Sequence, residues 1–500
     1  MKHESQWDPA PRSSVSTIKK VSKNFASLTI AEGVTRICTL LLFIYIARVL
    51  GVTSFGELAF ATAVISFFTF FADFGLTTLG IREIARHKKE TDSYGTNILL
   101  FQVLFTLLLL ILLGVLLLFM PIGNTLKVIT FFYGLGLIPL ALDMSYIFQA
   151  HEKMEYVLVG KAANQAAYLI LGLALITLFK NVVFLPIAAL ISGVGGAIVT
   201  YTLLKKTVNF KLKKPDPEIF KLLIIAAIPF VTSEILIMIY RNIDIIMLQF
   251  IKNINDVGYY SAGYKIVNTI ILIIAFIPDS FFPLIAYNFK HDERQFKQYI
   301  LLFSQIAGLL SIPLAIGGII YARQILTFLY GSQLVAGTDA FKILLLLVII
   351  IPFKILVASI IIVADKQKHY MISGVIGVII NVTLNIILVP RYGMIGAGIA
   401  IIVTETVAGI YLVFICFKLF DYGSDILKKY FLKPTIAAII MLLIAFTVPN
   451  IFVGIPLVAL VYFAALYVIN GVPENLVISP FGIVKLTRDR WRKEKNSPLR

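Results

Sequence analysis

Four charged residues, Glu234, Arg241, Asp244 and Lys265, stand in a stretch over 228–265 that is otherwise apolar enough to lie in a bilayer. At the centre of a lipid-facing helix each would cost roughly 2.5–3.5 kcal/mol, so such residues face a partner, a bundle interior or a watery cavity, and they mark function. Glu32, Arg36, Lys354 and Glu405 sit in similar apolar surroundings. Glu32 and Arg36 are four apart, Arg241 and Asp244 three apart, and Glu234 lies seven residues before Arg241, so each set shares a helix face. Such pairs can neutralise one another inside a bundle. Lys265 and Lys354 have no carboxylate one turn away, which points to cavity lining, a partner on another helix or snorkelling. Cations lining a mid-membrane cavity suit an anion, with phosphate or pyrophosphate the leading class. The carboxylates either carry Na+ or H+ for coupling or only balance the cations.

The elements that position these groups follow from composition. Of 500 residues 59% are hydrophobic and 14% charged, and mean hydropathy is +0.92; soluble domains are roughly 45–50% apolar and about 25% charged. An all-α polytopic membrane protein is expected, because in lipid the backbone must close its hydrogen bonds within each helix. Taking about 20 apolar residues per span, helices are predicted near 26–48, 56–79, 96–119, 128–149, 159–179, 182–204, 219–250, 256–287, 299–321, 341–363, 370–389, 395–418, 432–449 and 452–470. That makes fourteen. The chain then divides into a cytosolic arm (1–25), an N-lobe of helices 1–6 (26–204), a basic linker (205–218), a C-lobe of helices 7–12 (219–418), helices 13–14 (419–470) and a basic tail (471–500).

The net charge of +17 would suggest nucleic acid for a soluble chain. Here Arg82, Arg86, Lys88, Lys89, the lysines of 205–221 and the tail fall on one side of the spans, so no nucleic-acid partner is expected, and both termini are placed in the cytoplasm of a cell-membrane protein. Those lysines also attract anionic membrane lipids. Cys38 and Cys416 lie within spans, which suggests neither a disulfide nor a thiolate metal site. His3, His87, His151, His291 and His369 fall at helix ends or in cytosolic segments, so no mid-membrane histidine relay is expected. No HExxH, phosphate loop or GxSxG occurs. The sequence therefore predicts no catalytic residues, no enzyme and no cofactor beyond a possible coupling Na+ or H+. Asn381-Val-Thr matches a glycosylation sequon but lies in a span and reads as helix packing. Asp73, Asp143 and Asp279 read as solvated or capping groups. Pro139, Pro229, Pro278, Pro283, Pro313 and Pro352 mark bends.

Helical rise brings the intramembrane charges to comparable depth. At 1.5 Å per residue, Arg36 lies roughly 15 Å from the inner end of its helix, Arg241 and Lys265 roughly 13–15 Å below the outer surface, and Lys354 and Glu405 roughly 14–20 Å from their outer ends. The two halves also begin alike. An outward helix, a turn at Ser54-Phe55-Gly56 or Asp256-Val257-Gly258, and a returning helix of aromatic and small residues open each. Two repeats of six spans would place a substrate site between them near the midplane.

The run Ala47-Arg48-Val49-Leu50-Gly51, Phe55-Gly56 and Ala72-Asp73-Phe74-Gly75-Leu76 resembles the N-terminal pattern of polysaccharide flippases of the multidrug/oligosaccharidyl-lipid/polysaccharide exporter superfamily. The segment from Val257-Gly258-Tyr259-Tyr260 to Gly263-Tyr264-Lys265 looks like its second-half counterpart. The resemblance implies two six-helix lobes around a cationic cavity, two extra C-terminal helices, and alternating access that moves a polyprenyl-diphosphate-linked oligosaccharide to the outer leaflet, where glycan-assembly proteins take it up. It implies that Arg36, Arg48, Arg241, Lys265 and Lys354 bind substrate, while Glu32, Glu234, Asp244 and Glu405 couple or balance charge. Lys265 and Arg48 stand in the matching motifs; the others rest on depth and charge. A cation-coupled drug exporter of the same superfamily is the nearest alternative, against which stand the fourteen spans and the cationic cavity. A membrane-embedded glycosyltransferase or polymerase is the other, and the short, nearly uncharged segment 321–342 speaks against it.

Overall fold

The computed structural model describes the backbone of residues 15–448 and 450–472, and their side chains apart from 15–31, 224, 227–241, 276–281 and 283. The side chains of Glu234, Arg241, Pro229, Pro278, Asp279 and Pro283, most of the N-terminal arm and most of the basic tail thus lie outside the described residues. Packing divides the chain into two compact units, Met1–Asn242 and Ile243–Arg500.

Unit 1 holds α1 (Val15–Asp73), α2 (Leu76–Arg86), α3 (Thr91–Phe119), α4 (Asn124–Gly134), α5 (Leu137–Ala141), α6 (Ser145–Ala150), α7 (Met154–Phe179), α8 (Phe184–Thr207) and most of α9 (Pro217–Ile251). Unit 2 holds the end of α9, then α10 (Ile254–His291), α11 (Glu293–Ile320), α12 (Ala322–Tyr330), α13 (Thr338–Leu345), α14 (Leu347–Val363), α15 (Gln367–Leu419), α16 (Gly423–Leu427), α17 (Lys433–Ala445) and α18 (Ile451–Val468). Among the described residues ten helices are long and apolar enough to cross a membrane. Two of these bend at a left-handed glycine, α1 at Gly51 (φ 81°) and α15 at Gly393 (φ 54°), and each is long enough for two passes. A side chain would strain that backbone, so glycine fixes where each helix turns. With α9 and the helix ending at Ala445 the arrangement is consistent with fourteen passes. The helices are apolar on every side, as membrane spans are: α3 buries Leu109, Leu110 and Leu113 while Leu107, Leu108, Ile111 and Leu112 face outward.

Several boundaries differ from the sequence expectation, each for a local reason. The first turn falls at Gly51, and Ser54-Phe55-Gly56 is already helical. Its counterpart falls at 252–253, because the Asn253 side chain accepts from the amides of Asn255 and Asp256 and starts α10 there. The fourth span is broken into α4, α5 and α6; Pro139 in α5 has no N–H to give back to the preceding turn. The segment 321–342, expected as a loop, is α12, a 3-10 turn and the start of α13. Its Ala322, Leu326 and Tyr330, four apart, are buried along one helix face.

The basic linker is a pinned strap rather than a loose loop. After α8 the chain runs without regular structure to Pro217, with Phe210 fully buried. The amides of Lys211, Lys213 and Asp216 donate to Asp92 Oδ1, Thr96 Oγ1 and Asn97 Oδ1, each at 3.1 Å. Side chains at the start of α3 thereby satisfy backbone donors that no ladder or helix reaches. In unit 2 the last two helices are held on α11. Tyr462 donates to the Leu309 carbonyl (3.0 Å), Gln305 Nε2 to Gly471 (2.6 Å) and Tyr321 to Val448 (3.0 Å).

Candidate functional site

Unit 1 carries a polar seam between α1 and α7. Arg36 Nη2 lies 2.6 Å from Glu32 Oε1, as their spacing on one helix face allows. Lys161 Nζ, from α7, approaches the other oxygen of the same carboxylate at 4.0 Å. One carboxylate therefore stands under two cations, one of which, Lys161, also lies within electrostatic range of Asp143. The side chains of Arg36, Glu32 and Lys161 are 40%, 35% and 44% exposed, so the group is open to a ligand from outside the helix pair. Among the described residues Arg36 Nε finds no acceptor. One turn further on, Gln165 Nε2 donates to Thr39 Oγ1 (3.1 Å), and Tyr45 and Thr177 share a hydroxyl hydrogen bond (2.6 Å) beyond it. Arg48 is exposed near the Gly51 bend.

Unit 2 carries a drier arrangement. Asp244, 2% exposed, accepts from Tyr260 OH at Oδ2 (2.9 Å) and from Asn385 Nδ2 at Oδ1 (2.7 Å). The same Asn385 amide group donates to the Asn381 carbonyl (2.9 Å). The end of α9, the start of α10 and the first half of α15 thus meet at one carboxylate whose described donors are neutral. Beyond the Gly393 bend, Glu405 pairs with Lys354 of α14 at 2.5 Å, their side chains 4% and 16% exposed. Glu405 also lies within electrostatic range of Asp244. Lys265 is half-buried on α10, directly after Tyr264, whose ring stacks on that of Tyr260.

Of the residues singled out by sequence, the structure joins Glu32 with Arg36 and Lys354 with Glu405. The second pair spans two helices, so Lys354 has the carboxylate that its own helix lacks. Asp244 is held by Tyr260 and Asn385; the side chains of its sequence neighbours Arg241 and Glu234 lie outside the described residues. Asp143 is half-buried and takes the Ser145 amide (3.0 Å) and hydroxyl (3.1 Å) at the start of α6, as a capping group does. Asp73 accepts from the Thr77 hydroxyl and Gln102 Nε2. Sequence reasoning passed over Lys161, Tyr260 and Asn385 as site residues. It also read Asn381 as packing alone. Two amides four residues apart in an apolar span, Asn381 and Asn385, were the available signal. Outside the spans His151, within 3.0 Å of Thr91 Oγ1, has its imidazole pKa lowered by burial and then by Lys88 and Lys153.

A family description, polysaccharide biosynthesis protein, matches residues 21–289. The chain is 29% identical over 177 residues to the probable flippase AglR of Haloferax volcanii, covering 35% of this chain and 37% of that relative. It is 23% identical over 220 residues to a probable low-salt glycan biosynthesis flippase of the same organism, covering 43% of this chain and 45% of that relative. The matched region thus spans less than half the length of either relative. Among solved structures the fold is similar to the lipid II flippase MurJ in an inward closed conformation, with a TM-score of 0.70, 18% identity, and coverage of 88% of this chain and 98% of that one.

Proposed function

The chain belongs to the polysaccharide biosynthesis protein family, and on that premise we propose that it is a flippase for a polyprenyl-diphosphate-linked oligosaccharide. It moves this lipid from the cytoplasmic to the outer leaflet of the cell membrane by alternating access, with both termini in the cytoplasm, and hands it to glycan-assembly proteins. The observation that carries the reading is the seam in unit 1, where Arg36 and Lys161 share one carboxylate, Glu32. Two cations from two helices beside one carboxylate, in an exposed group, favour a diphosphate, which accepts charge-assisted hydrogen bonds, and disfavour a cationic drug. The work is translocation rather than bond making, so the protein needs no nucleophile or general base.

In this reading Arg36 engages the diphosphate, with Arg48, Arg241 and Lys265 as further cationic contacts. Lys354 joins them only when its pair with Glu405 opens. Asp244 is the coupling group. Among the described residues Tyr260 and Asn385 donate to it without carrying charge, which suits a carboxylate that takes up a proton or Na+. Glu32 and Glu405 balance cations; Glu234 is assigned with them by its place on the face of Arg241.

The test is a proteoliposome assay of the full chain with defined lipid-linked sugars under imposed Na+ or H+ gradients. Gradient-dependent movement of a lipid-linked sugar is expected. Movement of a cationic drug in its place, or of no lipid-linked substrate, overturns the reading.

A further inference from the structure

Unit 1 holds a cavity of about 240 Å³ between α5, α7 and α8, lined on its polar side by Asp143, Ser145, Lys161, Asn164 and Thr200. We propose that this cavity seats a pyranose ring of the lipid-linked glycan, the sugar next to the diphosphate, beside the Arg36 and Lys161 cations. The inference rests on the flippase reading and deepens it by assigning the sugar a place.

The position follows from Lys161. Its ammonium reaches Glu32 in the cationic seam, and the same side chain lines the cavity, so the two sites share a wall. A ligand with its phosphates at Arg36 and Lys161 brings the adjoining ring to this wall. The cavity is built rather than left over. α8 approaches α7 so closely that a Cβ on Gly196 would stand 2.8 Å from Asn164 Cβ, and one on Gly160 would stand 2.8 Å from Thr200 Oγ1. Glycine at these two places lets Asn164 and Thr200 come to the cavity edge.

The chemistry of the lining suits a hydroxylated neutral ring. Each Asp143 oxygen takes one hydrogen bond from Ser145, which leaves acceptor capacity on both, since a carboxylate offers about four lone-pair sites. That is the arrangement to accept from vicinal hydroxyls. Asn164 supplies both a donor and an acceptor, and Thr200 a hydroxyl that serves as either. One carboxylate and one ammonium make the lining close to neutral. A second phosphate would meet Asp143, and a second cation would meet Lys161. Apolar walls from Pro139, Leu140 and Val157 complete the enclosure, the mixture found in pockets where a few polar groups fix orientation.

Binding of the detergent-solubilised full chain to farnesyl diphosphate is compared with binding to the same lipid carrying one glucose, galactose, mannose or N-acetylglucosamine. At least one glycosylated probe is expected to bind about tenfold more tightly, the worth of one or two buried hydrogen bonds. Asn164→Ala and the near-isosteric Thr200→Val should each remove most of that preference. Thr202→Ala, on the exposed side of α8, should keep it. Binding of farnesyl diphosphate without preference for any sugar overturns the subsite and leaves the diphosphate site standing, as does full preference retained in both cavity variants. Failure of every probe to bind overturns the flippase reading and the subsite together. Asp143→Asn with unchanged preference counts against the carboxylate.

Discussion

The two polar sites treat charge in opposite ways. In unit 1, Glu32 sits under two cations in a group whose side chains are 35–44% exposed, while in unit 2 Lys354 and Glu405 form a closed pair, 16% and 4% exposed. Exposed ion pairs are screened and worth about 0–1 kcal/mol, so the first group spends little stability on its geometry and keeps charge available to a ligand. A buried pair is different, since removing one partner leaves the other charged in a medium that cannot solvate it. Asp244 adds a third arrangement, a buried carboxylate whose described donors are all neutral. Exposure and pairing, rather than the number of charges, distinguish the two sites.

The largest expected effect tests the buried pair. Glu405→Ala should destabilise the protein by about 3–5 kcal/mol, read as a fall in thermal unfolding temperature in detergent. The double change Lys354→Met with Glu405→Leu should recover most of it. A neutral single variant would erase the contrast between the units. Next, Asp244→Asn keeps the hydrogen-bonding shape and removes the charge; gradient-driven flipping should fall by about tenfold, within the usual range of coupling between sites, with thermal stability maintained. Equal response to Na+ and H+ gradients in wild type and variant would remove Asp244 from coupling. In unit 1, Lys161→Ala or Arg36→Ala should lower flipping by about tenfold while shifting stability by no more than about 1 kcal/mol. A stability loss as large as that of Glu405→Ala would make the seam structural. The smallest effect is that of Gln165→Ala, one turn from Lys161. It should cost about 1 kcal/mol of stability and change flipping by less than about twofold, which separates the charge of the seam from its integrity.

Much of the fold was legible in the sequence because a bilayer permits few solutions. Apolar runs of span length had to be helices, and the break between the predicted spans 370–389 and 395–418 falls at Gly393 in the structure. The misplaced turns were local decisions. Gly51 competed with a polar triplet three residues on, and Asn253 capped α10 before Asp256-Val257-Gly258 was reached. The segment 321–342 was read as a loop between spans, yet it folded because Ala322, Leu326 and Tyr330 had a core to enter. At the sites, Glu32 and Arg36 were readable because both lie on one helix. Lys161 was not, since nothing in its own neighbourhood announces a carboxylate on α1.

By itself the sequence determined that this is a helical membrane protein and which residues carry charge into the bilayer. Tertiary structure decided which charge meets which. Helical rise gives the depth of a side chain but not the neighbour its face turns toward. Only packing brought Lys354 to Glu405, Asn385 to Asp244, and Lys161 to a carboxylate that Arg36 already held.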